Sequence, residues 1–257
     1  MFNLEHYDLS DINTDNSPLN KLYEIFKQTL NPDLTPREFS QYLFGQHPER
    51  MELTFINQGE ELAGFCTAAA YPRKVNGKKV VILRSAFGLL DRFKNGRFPL
   101  QGLFFKYIRY KLAHPFTSVY VAGFMANPLM YAMICKYTLR CYPRRNITIP
   151  PKVLHFKKSL VQSMRLDRKE VAPFVMKIHF QVRFKKEDLD RINSSRDKDV
   201  AYFLSINPGF QDQIGVMVLI PVTFSNMLYT LARYCYRKVV KRFSFRRKEK
   251  REVAVSS

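Results

Sequence analysis

The 257-residue sequence predicts an α+β fold: a mixed, twisted sheet flanked by helices, with a C-terminal extension of strands and a basic helix. Two amphipathic helical stretches lead into three strand-like runs, and a helix, a strand and a helix follow in that order. The Asn76-Gly77 pair between two of the runs is a strong hairpin signal, so those strands are antiparallel neighbours.

Residues 18–30 place Leu19, Leu22, Ile25, Phe26 and Leu30 on one helical face, with Pro18 where a first turn accepts it. Thr35 and Glu38 have capping-box spacing ahead of a second helix through Phe39, Tyr42 and Leu43, which ends at Gly45. Strands are predicted over Met51–Ile56, Leu62–Tyr71 and Val80–Leu90, the first two joined by the Asn57-Gln58-Gly59 turn. A polar loop, Asp91–Arg97, precedes a helix opened by Pro99 and running through Leu112. Residues 118–125 read as a strand, and Asn127-Pro128 starts a helix ending near Tyr137.

Beyond this, residues 174–184 alternate as a half-exposed strand, with Phe174, Met176, Ile178, Phe180, Val182 and Phe184 on one side. Residues 200–207 and 214–220 read as two strands joined at Asn207-Pro208-Gly209, and a helix over 223–243 leads into a basic tail. Residues 1–150 form one expected domain and 151–257 the extension. Whether 151–222 complete the first sheet or form an appendage stays open at this level.

The longest apolar run, Ile214–Val222, is shorter than the roughly 20 residues that a membrane-spanning helix needs. The acidic N-terminus, MFNLEHYDLSD, lacks the basic-then-apolar order of a signal peptide. A cytoplasmic location is expected, with peripheral contact at the inner membrane face as an open alternative. Cys66, Cys135, Cys141 and Cys235 have no metal-site spacing and read as reduced, mostly buried thiols, so no metal is expected.

Charge is the strongest compositional signal. The formal net charge is +20, yet the first 60 residues carry ten acidic against four basic side chains. The basic remainder calls for an anionic partner: an acidic carrier protein, an anionic membrane, a phosphorylated cofactor or nucleic acid. Composition does not choose among them.

The stretch Val80–Tyr142 resembles the donor-binding half of the GNAT acyltransferases. That family seats acyl-coenzyme A where two parallel strands splay apart, and a loop-to-helix turn cradles the pyrophosphate; exposed N–H groups at a helix start suit an anion. The resemblance implies donor contacts from Leu83 on the strand, from Arg92, Lys94, Gly96 and Arg97 in the loop, and from Asn127 after the next strand. The loop departs from the family's Gln/Arg-x-x-Gly-x-Gly/Ala pattern, keeping Gly96 alone with Pro99 nearby. Proline has no N–H to donate. The family's Tyr-x-x-x-Gly-Phe ending stands here as Tyr137-Thr-Leu-Arg-Cys141-Tyr142, which makes Tyr137 the candidate general acid for the departing thiolate. Glu52, His114 and His179 are candidate bases that spacing does not separate.

What the resemblance implies is acyl transfer from a thioester, carried by coenzyme A or an acyl-carrier protein, to an amine or hydroxyl by direct attack. The rival reading is a non-catalytic scaffold that binds an anionic membrane or nucleic acid through its basic C-terminal half. In that half, Phe224, Met227, Leu228, Leu231, Cys235 and Val239 recur at helical spacing beside a basic stripe of Arg233, Arg237 and Lys241.

Overall fold

The alternating apolar runs pair into one sheet whose strands, among the described residues, are β1 (Phe2–Asp8), β2 (Arg50–Gln58), β3 (Glu61–Val75), β4 (Lys78–Leu89), β5 (Ser118–Met125), β6 (Glu170–Ala172), β7 (Val175–Lys177) and β8 (Ile214–Pro221). Their spatial order is β1-β2-β3-β4-β5-β8-β7-β6. The computed structural model describes residues 2–14, 17–93, 100–164, 169–178 and 184–237. Helices α1 (Leu9–Thr14), α2 (Ser17–Thr29), α3 (Pro36–Phe44), α4 (Leu100–Ala113), α5 (Pro128–Tyr137), α6 (Pro151–Ser163), α7 (Lys186–Asn193) and α8 (Lys198–Ile206) flank the sheet, and residues 224–237 form a last helix, α9. The fold class is therefore α+β, as the element order predicts.

Local signals account for the well-read elements. Asn76 and Gly77 both take positive φ, 51° and 77°, as the tight turn between β3 and β4 requires. At α3 the capping box forms: the Glu38 N–H donates to Thr35 Oγ1 at 3.3 Å, and the Thr35 N–H donates to Glu38 Oε2 at 2.9 Å. The Asn127 side chain caps α5 by accepting from the Leu129 N–H at 2.9 Å.

All neighbouring strands pair antiparallel except β4 and β5, which are parallel from Val80 opposite Ser118 to Leu83 opposite Val121. β8 pairs with β5, so the sheet continues across residue 151 and residues 170–221 complete it. One face packs against α1, α2, α3 and α6 through Leu22, Phe26, Phe65, Tyr71 and Leu160. Phe26 stacks on Phe65 at 5.5 Å, and full burial of such a ring contributes about 2–3 kcal/mol. On the opposite face, α4 and α9 cover Leu83 and Val119 with Tyr107 and Met227, while Tyr131 of α5 and Phe203 of α8 cover Val216 and Val218 of β8.

Several sequence expectations are corrected. Of residues 200–207, expected as a strand, 200–206 lie in α8 and Asn207 is its C-cap; the Asp197 side chain caps the other end by accepting from the Asp199 N–H at 2.9 Å. Val200 and Phe203, three apart, supply its buried face. Of the strand expected over 174–184, only β7 is present among the described residues, because Phe174 takes φ 67° in the turn after β6; Phe180 and Val182 lie outside the described residues. β1, α1, α6, β6 and α7 were not expected. On α9 the expected apolar stripe faces outward at Phe224 and Leu228, 52% and 67% exposed, while Asn226, Met227 and Thr230 are buried. Among the described residues no helix is long and apolar enough to cross a membrane.

The cysteines divide by exposure. Cys135 and Cys141 are fully buried, their sulfurs 3.7 Å apart, and burial pushes the Cys66 thiol up to about 11, whereas Cys235 is exposed. Thiolates, not thiols, react. A disulfide-exchange titration of the native protein should therefore label Cys235 rapidly, the half-buried Cys66 slowly, and Cys135 and Cys141 only on unfolding; rapid labelling of Cys135 or Cys141 would contradict this packing.

Candidate active site

Between β4 and β5 the sheet opens. Their ladder ends at Leu83 and Val121, but β4 stays paired to β3 as far as Leu89 and β5 stays paired to β8 as far as Met125. Each strand keeps its outer partner, so the facing edges part beyond Leu83. A cavity of about 330 Å³ lies over this gap. Ser85, Phe87, Val121 and Gly123 contribute from the strands, and Phe104, Met130, Ile134 and Met227 from α4, α5 and α9. A parallel pair that splays after four residues, in a sheet otherwise antiparallel, is the arrangement the sequence resemblance implies.

The strand order and the β4–β5 gap agree with the fold that the sequence resemblance to the GNAT acyltransferases implies. No protein-family model matches the sequence, and no curated protein matches it. Among solved structures, a probable N-acyltransferase from Enterococcus faecalis is similar at 9% identity over 54% of this chain, with a TM-score of 0.38. This chain spans only 32% of that one. Glucosamine-6-phosphate N-acetyltransferase from Arabidopsis thaliana shares 12% identity, covering 58% of this chain and 97% of its own, at a TM-score of 0.36. A GNAT family acetyltransferase from Elizabethkingia anophelis with acetyl-CoA bound shares 16% identity over 56% of this chain and 79% of its own, at 0.33. The fold assignment rests on strand order and the β4–β5 gap, not on these overlaps.

Tyr137, the last residue of α5, is half-buried on the cavity wall. Arg237 of α9 donates to its hydroxyl oxygen, and the guanidinium lies 5.5 Å from the ring centroid. An oxygen that accepts from Arg237 keeps its own O–H free to donate elsewhere. The Tyr137 carbonyl accepts from Thr230 Oγ1 at 2.6 Å. Just beyond it, Asn226 accepts from the Leu139 and Arg140 N–H groups at 2.7 and 2.9 Å and donates to the Arg140 and Pro221 carbonyls at 2.9 and 2.7 Å. Asn226, Thr230 and Arg237 thus form one stripe of α9 that holds the end of α5. This explains why the polar side of α9 turns inward. The sequence signal was present in their spacing of four and seven residues, but an apolar-stripe reading looks past it.

The other expected donor residues are scattered. Leu83 is buried and paired with Val121, one step before the open edge that Ser85 and Phe87 line. Asn127 spends its side-chain oxygen on the α5 cap. Arg92, in the short 3₁₀ turn Asp91–Phe93, pairs with Glu61 at an exposed site where such a bond is weak and readily exchanged. Lys94, Gly96 and Arg97 lie outside the described residues. Cys141, standing where glycine is usual, fills the space beside Cys135, and Tyr142 bridges to Leu219 of β8 through two backbone hydrogen bonds of 2.9 and 2.8 Å.

Of the candidate bases, Glu52 is tied to Lys106 at 2.7 Å and Arg50 at 3.0 Å. Burial pushes its carboxyl up, but the Lys106 bond and charge, with Arg50, outweigh that and hold it below the ordinary value. Such a carboxylate is a poor proton acceptor. His114 is exposed and stacks on Tyr110 at 4.6 Å, and neither it nor Glu52 lines the cavity. His179 lies outside the described residues. Among the described residues no cluster of side chains suits a metal.

Tyr107 is a cavity residue that sequence reading missed. Its hydroxyl is buried beside Ser85 without a hydrogen bond of normal geometry, and burial drives its phenol far above the ordinary value, only partly offset by Ser85.

Two stability measurements follow from these contacts. Asn226→Ala strips partners from two backbone N–H groups and should cost about 2–4 kcal/mol in urea unfolding. Tyr107→Phe removes a hydroxyl that gains little, so its stability should stay within about 1 kcal/mol of wild type. A larger loss at Tyr107 would mean the hydroxyl has a strong protein partner.

Proposed function

We propose that the protein transfers an acyl group from a coenzyme A thioester to an amine or hydroxyl acceptor by direct attack. The observation that carries this reading is the cavity over the β4–β5 gap with the Tyr137 hydroxyl on its wall. The open edge of β4 beyond Leu83 offers backbone N–H groups that can polarise a thioester carbonyl. The acceptor's lone pair attacks the carbonyl carbon and forms the new bond, giving a tetrahedral intermediate. Its collapse breaks the C–S bond, and Tyr137 passes its proton to the leaving sulfur. Arg237 holds the oxygen from the other side, so the proton points toward the thiolate. The acceptor's surplus proton leaves to water, and water returns a proton to the Tyr137 oxygen, which restores the hydroxyl. Arg92, Lys94, Gly96 and Arg97 are assigned the donor's phosphates on sequence grounds, and an Arg92 held by an exposed ion pair is free to exchange Glu61 for a phosphate.

The charge asymmetry favours one variant, an acidic carrier protein as donor. In that case turnover with carrier-bound thioester falls more steeply with salt than turnover with the coenzyme A thioester.

Calorimetric titration with coenzyme A and acetyl-coenzyme A tests the donor site. Micromolar affinity that disappears when Arg92, Lys94 and Arg97 are neutralised together is the expected result. Tyr137→Phe should keep that affinity and lose turnover by about 10²–10⁴-fold. Unchanged turnover removes Tyr137 from the chemistry. Absence of binding by either coenzyme A ligand and by a carrier-bound thioester leaves a non-catalytic scaffold.

A further inference from the structure

We infer that the acyl group taken by this site is a long hydrocarbon chain, seated in the cavity between α4, α5 and α9. The inference rests on the acyl-transfer reading above and adds the class of substrate. It starts from size: a cavity of about 330 Å³ is in the range that encloses a whole small molecule. The strand side of the cavity, at Ser85 and Gly123, can take the pantetheine arm, and an acetyl group would then leave the helical side vacant, where the loss of contacts is costly.

The chemistry of the wall narrows the occupant. Leu103 and Phe104 of α4, Met130, Met133 and Ile134 of α5, and Met227 of α9 present an apolar surface. Three polar side chains of the helical lining, Thr138, Thr230 and Asn226, are already spent, which leaves polar points at the hydroxyls of Tyr107 and Tyr137 and at the Arg237 guanidinium. Thr138 Oγ1 donates to the Ile134 carbonyl at 2.8 Å. Thr230 Oγ1 is bonded to the Tyr137 and Asn226 carbonyls at 2.6 and 2.8 Å, and Asn226 uses both ends of its amide. A ligand rich in amides, such as the pantetheine arm, would lose its water along Leu103, Phe104, Met130, Met133 and Ile134 and recover few hydrogen bonds. It fits the strand edges at Ser85 and Gly123 instead, which leaves the helical part of the cavity to the acyl chain.

Two further features agree. Methionine is flexible and polarisable, so the side chains of Met130, Met133 and Met227 can close around a chain of methylenes whose shape is itself variable. Tyr137 shares the cavity with this apolar wall, so a chain in the helical part and a sulfur beside the tyrosine hydroxyl belong to one extended thioester. Phe105, 46% exposed, lies at the solvent side of the lining.

The test is a calorimetric series on the full chain with coenzyme A and its acetyl, octanoyl and dodecanoyl thioesters below their micelle concentrations, with dodecanoic acid and a carrier-bound dodecanoyl thioester alongside. Transfer of one methylene from water is worth up to about fourfold in affinity, so even partial burial should make octanoyl-coenzyme A about a hundredfold tighter than acetyl-coenzyme A. Met133→Trp should abolish that gain while leaving coenzyme A affinity unchanged; the wild-type series stands by itself if the variant folds poorly. Equal affinity for acetyl and dodecanoyl thioesters would overturn the hydrocarbon seat and leave the acyl-transfer reading intact. Failure of every coenzyme A ligand and of a carrier-bound dodecanoyl thioester would overturn both, and capture of dodecanoic acid in that case would assign the cavity to a free lipid.

Discussion

Four residue pairs between β4 and β5 are the seam on which the site depends. To one side of it, β1 to β4 form an antiparallel half-sheet; to the other, β5 with β8, β7 and β6 form a second. Each half is locked by its own ladder, so neither strand can follow the other past Leu83 and Val121 without breaking bonds on its outer side. Backbone groups are costly to leave unpaired inside a protein. A gap that survives folding under that pressure is maintained by the two ladders, and the helices above it determine what can fill it.

What covers the gap comes from distant parts of the chain. α4 follows β4, α5 follows β5, and α9 arrives after the sheet has been completed by β8. The last of these does more than cover. Through Asn226, Thr230 and Arg237 it fixes the backbone that ends α5, the carbonyl of Tyr137 and the hydroxyl of the same residue. An aromatic hydroxyl at a helix end would otherwise swing with the fraying of the last turn. Here the side chain is held at both ends by one neighbouring helix.

The first 142 residues were largely legible because their signals are local. Thr35 with Glu38, Asn76 with Gly77 and Asn127 with Pro128 each specify backbone geometry within a few residues, and the alternation between them gives the strands. Residues 200–206 were not legible in this way. Val200, Tyr202 and Leu204 alternate as well as any strand, and only burial of Val200 with Phe203 decides for a helix. β1 was missed because an edge strand bearing Glu5, His6 and Tyr7 carries too little apolar pattern. The site divides along the same line. Tyr137 was visible through a motif that spans six residues, while Arg237, Asn226 and Tyr107 acquire meaning only from partners far away in sequence or, for Tyr107, from burial. The apolar stripe expected on α9 holds at Met227 and Leu231 and not at Phe224 and Leu228, because Asn226 and Thr230 found partners inside and take part of the buried face.

The clamp on α5 also sets a time order for folding. Asn226 closes on Leu139 across 87 residues, and Arg237 closes on Tyr137 across 100. Contacts of such separation form only after a large loss of chain entropy, and they belong to the slow end of assembly. β1 to β4 and the helices beside them can gather through nearer contacts, whereas β5 meets β8 across separations as long as those of the clamp, from Met125 with Val216 to Tyr120 with Pro221. The tyrosine therefore reaches its final orientation among the last events of folding, and a nascent chain lacking residues 224–237 would carry the cavity floor without its closing wall.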